Sequence, residues 1–148
     1  MRKVLIIGLV LFMILSAIIP FSAGLFVSNK HVHENSSDAT ITIESSSIYE
    51  EDEIEEAIDT VCHAFETYPA TMTNIYYIEE DTMIYGENIA EQFGASEAII
   101  LYCDFHTYDN DEVIEAGFEK DQDYIGCPWI LVRNKGESWQ LVNSGFDI

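Results

Sequence analysis

Basic residues are scarce in this chain: Lys and Arg number six against 27 Asp and Glu, and two of the six, Arg2 and Lys3, stand ahead of its opening apolar stretch. Six less those two leaves four basic residues against 27 acidic ones, a net charge of −23 for everything that follows. Such a balance argues against nucleic acid as a partner, because a phosphate backbone needs Lys and Arg to replace its counterions, and against docking on an anionic lipid surface. A basic protein or a cation is what it would attract, although an acidic coat also simply keeps an exported protein soluble. Cysteine is scarce as well. Cys62, Cys103 and Cys127 are too few and too scattered for a disulfide scaffold or a paired-thiol zinc site. Either Cys103 and Cys127 form one bridge within a sheet, or all three are buried thiols.

Chemical signatures are missing too. No stretch matches a nucleophile elbow, a helical His-Glu-x-x-His zinc site, a phosphate-cradling loop or a dinucleotide fingerprint, so no catalytic residue, metal ligand or cofactor is assigned. A calcium loop started at Asp121 has Ile125 in the fifth place and Val132 in the twelfth, where a bidentate Glu belongs. Started at Asp109, it has Val113 fifth and Ile114 sixth, with no Gly for the turn. His31 and His33 read as solvated linker residues, and Cys62 and His63, adjacent on a helix, point about 100° apart.

What is present begins with Val4 to Val27, which carries no charge, with Arg2 and Lys3 before it and no acid until Glu34. The positive-inside bias then predicts an amino terminus inside and an extracytoplasmic remainder. The run is long enough for a membrane-spanning anchor, while Pro20 followed by Ser22-Ala23-Gly24 suits cleavage of a signal peptide, and both readings stand. The chain therefore divides into a signal or anchor (1–27), a polar tether (28–46) and one α+β domain (47–148). Within the tether, Thr40 to Ile43 alternates as an edge strand would.

From Ser47, Ile54, Ile58, Val61 and Phe65 recur at helical spacing, with Ser47 and Glu50 as a capping box and Pro69 beyond the end. Seven acids between Glu50 and Asp59 form the polar face. Thr71 to Glu79 reads as a strand. A shorter helix follows, capped by Asp81 or Thr82, with Tyr85, Ile89 and Phe93 on its apolar side, Gly86 weakening it and Gly94 ending it. Ala98 to His106 is apolar on both faces and predicts a central strand. Ile130 to Val132 and Trp139 to Val142 flank Asn134-Lys135-Gly136-Glu137 as a hairpin. The fold predicted is one long and one short helix packed on an antiparallel sheet of about four strands.

Thr107 to Tyr124 is a long connection holding Asp109, Asp111, Glu112, Asp121 and Asp123, with Val113, Ile114 and Phe118 able to give one helical turn. These acids, with Asp104 and His106 sharing one face of the central strand, are the candidate ligand- or partner-binding residues. An acid/base couple there would need His63 or a loop carboxylate to join it.

The pieces EEDEIEEAIDTVCHAFE, TMTNIYYIEED, AEQFGASEAIILYCDF and WILVRNKGESWQLVNSGF resemble a group of small exported bacterial α+β proteins of unknown function. The ending, Trp139, Leu141, Val142, Gly145 and Phe146, is also similar to endings of cone-shaped domains of the nuclear-transport-factor kind. The resemblance implies a fold and no activity, and those relatives carry a Gly, Ser and Asn-rich connection where this chain has acids. The leading expectation is a noncatalytic binding module for a basic or cationic partner. Its rivals are a small-ligand-binding or enzymatic cone, with a pocket between the long helix and the sheet, and an exported inhibitor or immunity-type protein.

Overall fold

The computed structural model describes residues 26–28 and 38–144. Its elements run β1 Phe26–Ser28, β2 Thr40–Ile43, α1 Glu51–Phe65, β3 Ala70–Tyr77, α2 Glu79–Gln92, β4 Glu97–Thr107, α3 Asp111–Glu115, β5 Asp123–Arg133 and β6 Gln140–Ser144. The class is α+β, as the patterning predicts. The sheet is corrected: it has six strands in chain order rather than about four, and it is mixed, because β2 runs parallel to β3. Parallel neighbours need a crossover, and α1 supplies it. All other neighbours are antiparallel.

The end of the segment read as a tether is thus part of the sheet, with Ile41 and Ile43 buried. Phe26 and Val27, the last residues of the apolar run, lie in β1, while Val4 to Leu25, His31 and His33, and Gly145 and Phe146 fall outside the described residues. Among the described residues no helix is long and apolar enough to cross a membrane.

α1 buries Ile54, Ala57, Ile58, Val61, Cys62 and Phe65 against one sheet face. Across from it stand Ile75, Ile99, Leu101, Trp129 and Leu131, none more than 1 % exposed. Each large side chain so buried contributes about 1.5–3 kcal/mol. The predicted cap is one turn early: Glu50 is the N-cap, its N–H donates to Glu53 Oε2 at 3.0 Å, and Glu51, Asp52 and Glu53 fill the positive end of the helix dipole. Ser47 instead donates its N–H and Oγ–H to the Glu79 carboxylate, at 2.5 and 2.7 Å.

α2, with 14 residues against 15 for α1, is not short, and its buried side is a further correction. Thr82, Gly86 and Ala90 face the sheet, while Tyr85 and Phe93 are exposed and Ile89 is half-buried. A Cβ on Gly86 would meet the Ala98 carbonyl oxygen at 3.3 Å, so glycine lets the helix lie close against β4. β4 outruns β3 here, and Thr82 Oγ1 accepts the Ile100 N–H at 3.2 Å while the Tyr49 hydroxyl donates to Ala98 O at 3.0 Å. Backbone groups left without a strand partner are satisfied by side chains. Gly94 ends α2 with φ +67°, the Ala95 N–H reaching Ala90 O at 2.8 Å and the Gly94 N–H reaching Glu91 O at 3.1 Å. That pair of bonds is the Schellman closure.

Candidate functional site

Strand alternation sends Tyr102, Asp104 and His106 to the face opposite α1. The space between α1 and the sheet is filled by aliphatic and aromatic side chains, so the polar groups that a cone pocket would need there are on the other side.

The acidic connection is held at three points. Val113 of α3 is fully buried, Phe118 packs on Tyr68, Phe105 and Tyr124, and the buried Thr107 donates Oγ–H to Glu119 O at 2.7 Å while accepting the Gln122 N–H at 3.0 Å. Asn110 Oδ1 caps α3 by accepting the Val113 N–H at 3.3 Å. Of the three apolar residues of the expected turn, Ile114 is exposed.

Of the candidate residues, the structure brings three together. His106 Nδ1 lies 2.8 Å from Asp123 Oδ1 and its Nε2 lies 3.2 Å from Asp121 Oδ1. Asp121 holds a left-handed backbone, φ +52°, in making this approach. Hydrogen bonding to Asp123, helped by Asp121, raises the His106 pKa above the usual imidazole value. His63 does not join; its Nδ1 is 3.6 Å from Glu66. Asp111 pairs with Lys120 at 2.6 Å, which lowers the carboxyl pKa and raises that of the amine. Asp109 and Glu112 are exposed on the same connection.

Asp104 stands apart from this group and is buried. Both neighbouring strands bulge around it: Thr73 is an extra residue on β3 between Met72 and Asn74, and Ile125 with Gly126 on β5 together face Asp104. Its Oδ2 accepts from Asn74 Nδ2 at 2.9 Å and its Oδ1 from the Gly126 N–H at 2.8 Å. Burial, then Asp104 beside it, raises the Tyr76 pKa. With its oxygens bound this way, Asp104 fastens two irregular strands.

Sequence reasoning missed the strongest electrostatic feature. Arg133, at the end of β5, is only 6 % exposed and pairs with Glu53 of α1 and, at 2.6 Å through Nε, with Glu97 of β4. Its guanidinium lies 4.1 Å from the Trp139 ring centroid and 5.7 Å from that of Tyr49. Trp139 Nε1 donates to Glu53 O at 2.9 Å. Burial, then the negative Glu97, pushes the Tyr49 phenol up to about 12, and a backbone bond at Glu50 together with Arg133 lowers the Glu53 pKa. Burial opposes the charge on Arg133, but Glu53 and Glu97 outweigh it and its pKa is raised. The available signal was an arginine directly after an apolar run, where a charge needs partners. Both Trp129 and Trp139 face the core.

All three cysteines are buried. Cys103 and Cys127 are register partners on β4 and β5. Burial raises the Cys103 pKa far above the ordinary thiol value and pushes that of Cys127 up to about 11, so neither is a thiolate nucleophile at neutral pH. Among the described residues no group of three or more His, Cys, Asp and Glu has the arrangement to hold a metal ion. Comparison with protein-family models, curated proteins and solved structures finds no match.

Proposed function

We propose that the protein is a noncatalytic binding module, held or released outside the membrane by its apolar leader, that engages a basic partner through charge. The supporting observation is the arrangement of the few cations. Arg133 is buried between carboxylates and Lys120 is held by Asp111, which leaves Lys135 on the β5–β6 hairpin as the remaining basic residue among those described. Against them stand the outer face of α1, with Glu51, Asp52, Glu56 and Asp59 exposed, and the acidic β4–β5 connection. Masking a basic active site, as an exported inhibitor or immunity-type protein does, is one form of the same interaction. Catalysis is the weaker reading, since His106 is engaged at both ring nitrogens by carboxylates and Asp104 is bound through both oxygens.

Binding of a fluorescent oligolysine peptide to the full chain, in nonionic detergent, tests this. Affinity should fall steeply as salt rises, and changing Asp109, Asp111, Glu112, Asp121 and Asp123 to their amides should weaken it further. Binding that ignores salt, or no binding at all, rejects the reading.

A further inference from the structure

The small-residue side of α2 has a consequence for its other sides. Because Thr82, Gly86 and Ala90 take the contact with β4, the bulky apolar side chains of the helix are turned outward: Met83, Ile84, Tyr85 and Phe93 are between 46 % and 63 % exposed. Scattered apolar residues on a surface need no explanation, but these belong to one helix and its cap. Of these, Tyr85 borders a cavity of about 470 Å³ that has Tyr85 and Ile89 of α2 on one side and Ile100, Tyr102, Pro128 and Ile130 of β4 and β5 on the other, while Met83 borders a different one. Asn88 and Gln92 supply amides at its rim, and the Tyr102 hydroxyl is already spent on Asp81 at 2.7 Å. The volume is within the ordinary range for a binding pocket, and a mostly apolar lining with a few polar groups is the usual composition.

Charge decides what can fill it. α2 carries Glu79, Glu80, Asp81, Glu87 and Glu91 and no Lys or Arg, and no basic residue lines the cavity. A second copy of this chain would bring acid against acid over this helix, and an anionic bilayer would do the same. A cationic peptide segment would not. We infer that the slot between α2 and strands β4 and β5 is the anchor site for a basic partner: one aromatic or branched aliphatic side chain of that partner enters the slot, and its Lys or Arg reach across α2 to the acids of the helix, of which Glu87 and Glu91 line the cavity on the other flank. This rests on the proposal of a basic partner and adds where, and by what kind of side chain, it is held. An apolar anchor in a pocket with a charged surround divides affinity from steering in the way many interfaces do.

The test uses two fluorescent probes of equal charge, a short lysine peptide with phenylalanine at its centre and the same peptide with alanine there. Binding to the full chain is followed by anisotropy in nonionic detergent, against a detergent blank. The phenylalanine probe is expected to bind about tenfold more tightly, roughly what one well-buried side chain confers. Tyr85→Ser and Ile89→Ala, each verified as folded by circular dichroism, should abolish that preference and leave the alanine probe unaffected. Equal binding of the two probes, or a preference that survives both substitutions, overturns the slot while the charge-based function stands. Failure of both probes at low salt removes that function and the slot with it. Sedimentation that reports a dimer broken by Tyr85→Ser also overturns the inference, in favour of a second copy as occupant.

Discussion

Arg133 joins α1, β4 and Trp139, the residue before β6, through one guanidinium, so its removal should be among the most damaging single changes. Arg133→Gln keeps much of the packing but leaves Glu53 and Glu97 facing each other without a cation. Breaking a buried pair costs about 3–5 kcal/mol, and because these carboxylates are 33 % and 23 % exposed the loss should be nearer about 2–3 kcal/mol. A urea midpoint that falls by that amount at constant slope checks it. His106 gives a second residue-level expectation. With Asp123 and then Asp121 raising its folded pKa, the stabilisation from its charge is complete below the ordinary imidazole value near about 6.5 and is lost as pH rises through the raised value. Asp123→Asn should return the NMR titration midpoint of His106 toward the ordinary value. An unchanged midpoint would show that the 2.8 Å contact does not persist in solution.

The two long helices differ in how they meet the sheet, and that difference explains what could be read in advance. The α1 stripe of Ile54, Ile58, Val61 and Phe65 is a hydrophobic signal at helical period, and all four are buried. For α2 the same logic selected Tyr85, Ile89 and Phe93, whereas Thr82, Gly86 and Ala90 make the contact. Close approach is achieved by the absence of side chain, and absence has no hydropathy. Gly86 therefore reads as a defect in sequence and acts as a fitting surface in the fold. Gly86→Leu should cost about 2–3 kcal/mol through overpacking against the Ala98 carbonyl, despite leucine's better helix propensity, as thermal denaturation can measure. β4, apolar on both faces, and the hairpin through Asn134 to Glu137, with Gly136 at φ +83° and the Glu137 N–H on Asn134 O at 2.9 Å, were legible because each signal is local. The parallel pairing of Thr40–Ile43 with β3 was not, since nothing local marks a strand whose partner lies beyond a helix. Of the candidate site, the grouping of His106 with a loop carboxylate follows from strand alternation and loop length. The separation of Asp104 from it depends on two bulges that leave no pattern in the sequence.

As a whole the domain is a folded body with a large like-charge excess, so self-repulsion opposes compactness everywhere except where Arg133 and Lys120 intervene. Raising salt from about 0.01 M to about 0.15 M shortens the screening length from about 30 Å to about 8 Å and should raise the thermal midpoint. The Arg133 pairs, being buried, lose little by the same change. A midpoint that falls with salt would mean that attractive pairs, not repulsion, dominate the surface.

The wide spacing of the Arg133 partners along the chain also bears on how the protein can be made. Glu53 and Glu97 lie 80 and 36 residues upstream of the arginine that neutralises them. A polypeptide emerging amino end first therefore makes both acids well before the cation that neutralises them, and before the β5 strand that carries it. A nascent chain halted short of β5, lacking Trp129 and Leu131 of the core as well as Arg133, should remain open to protease until the rest is made.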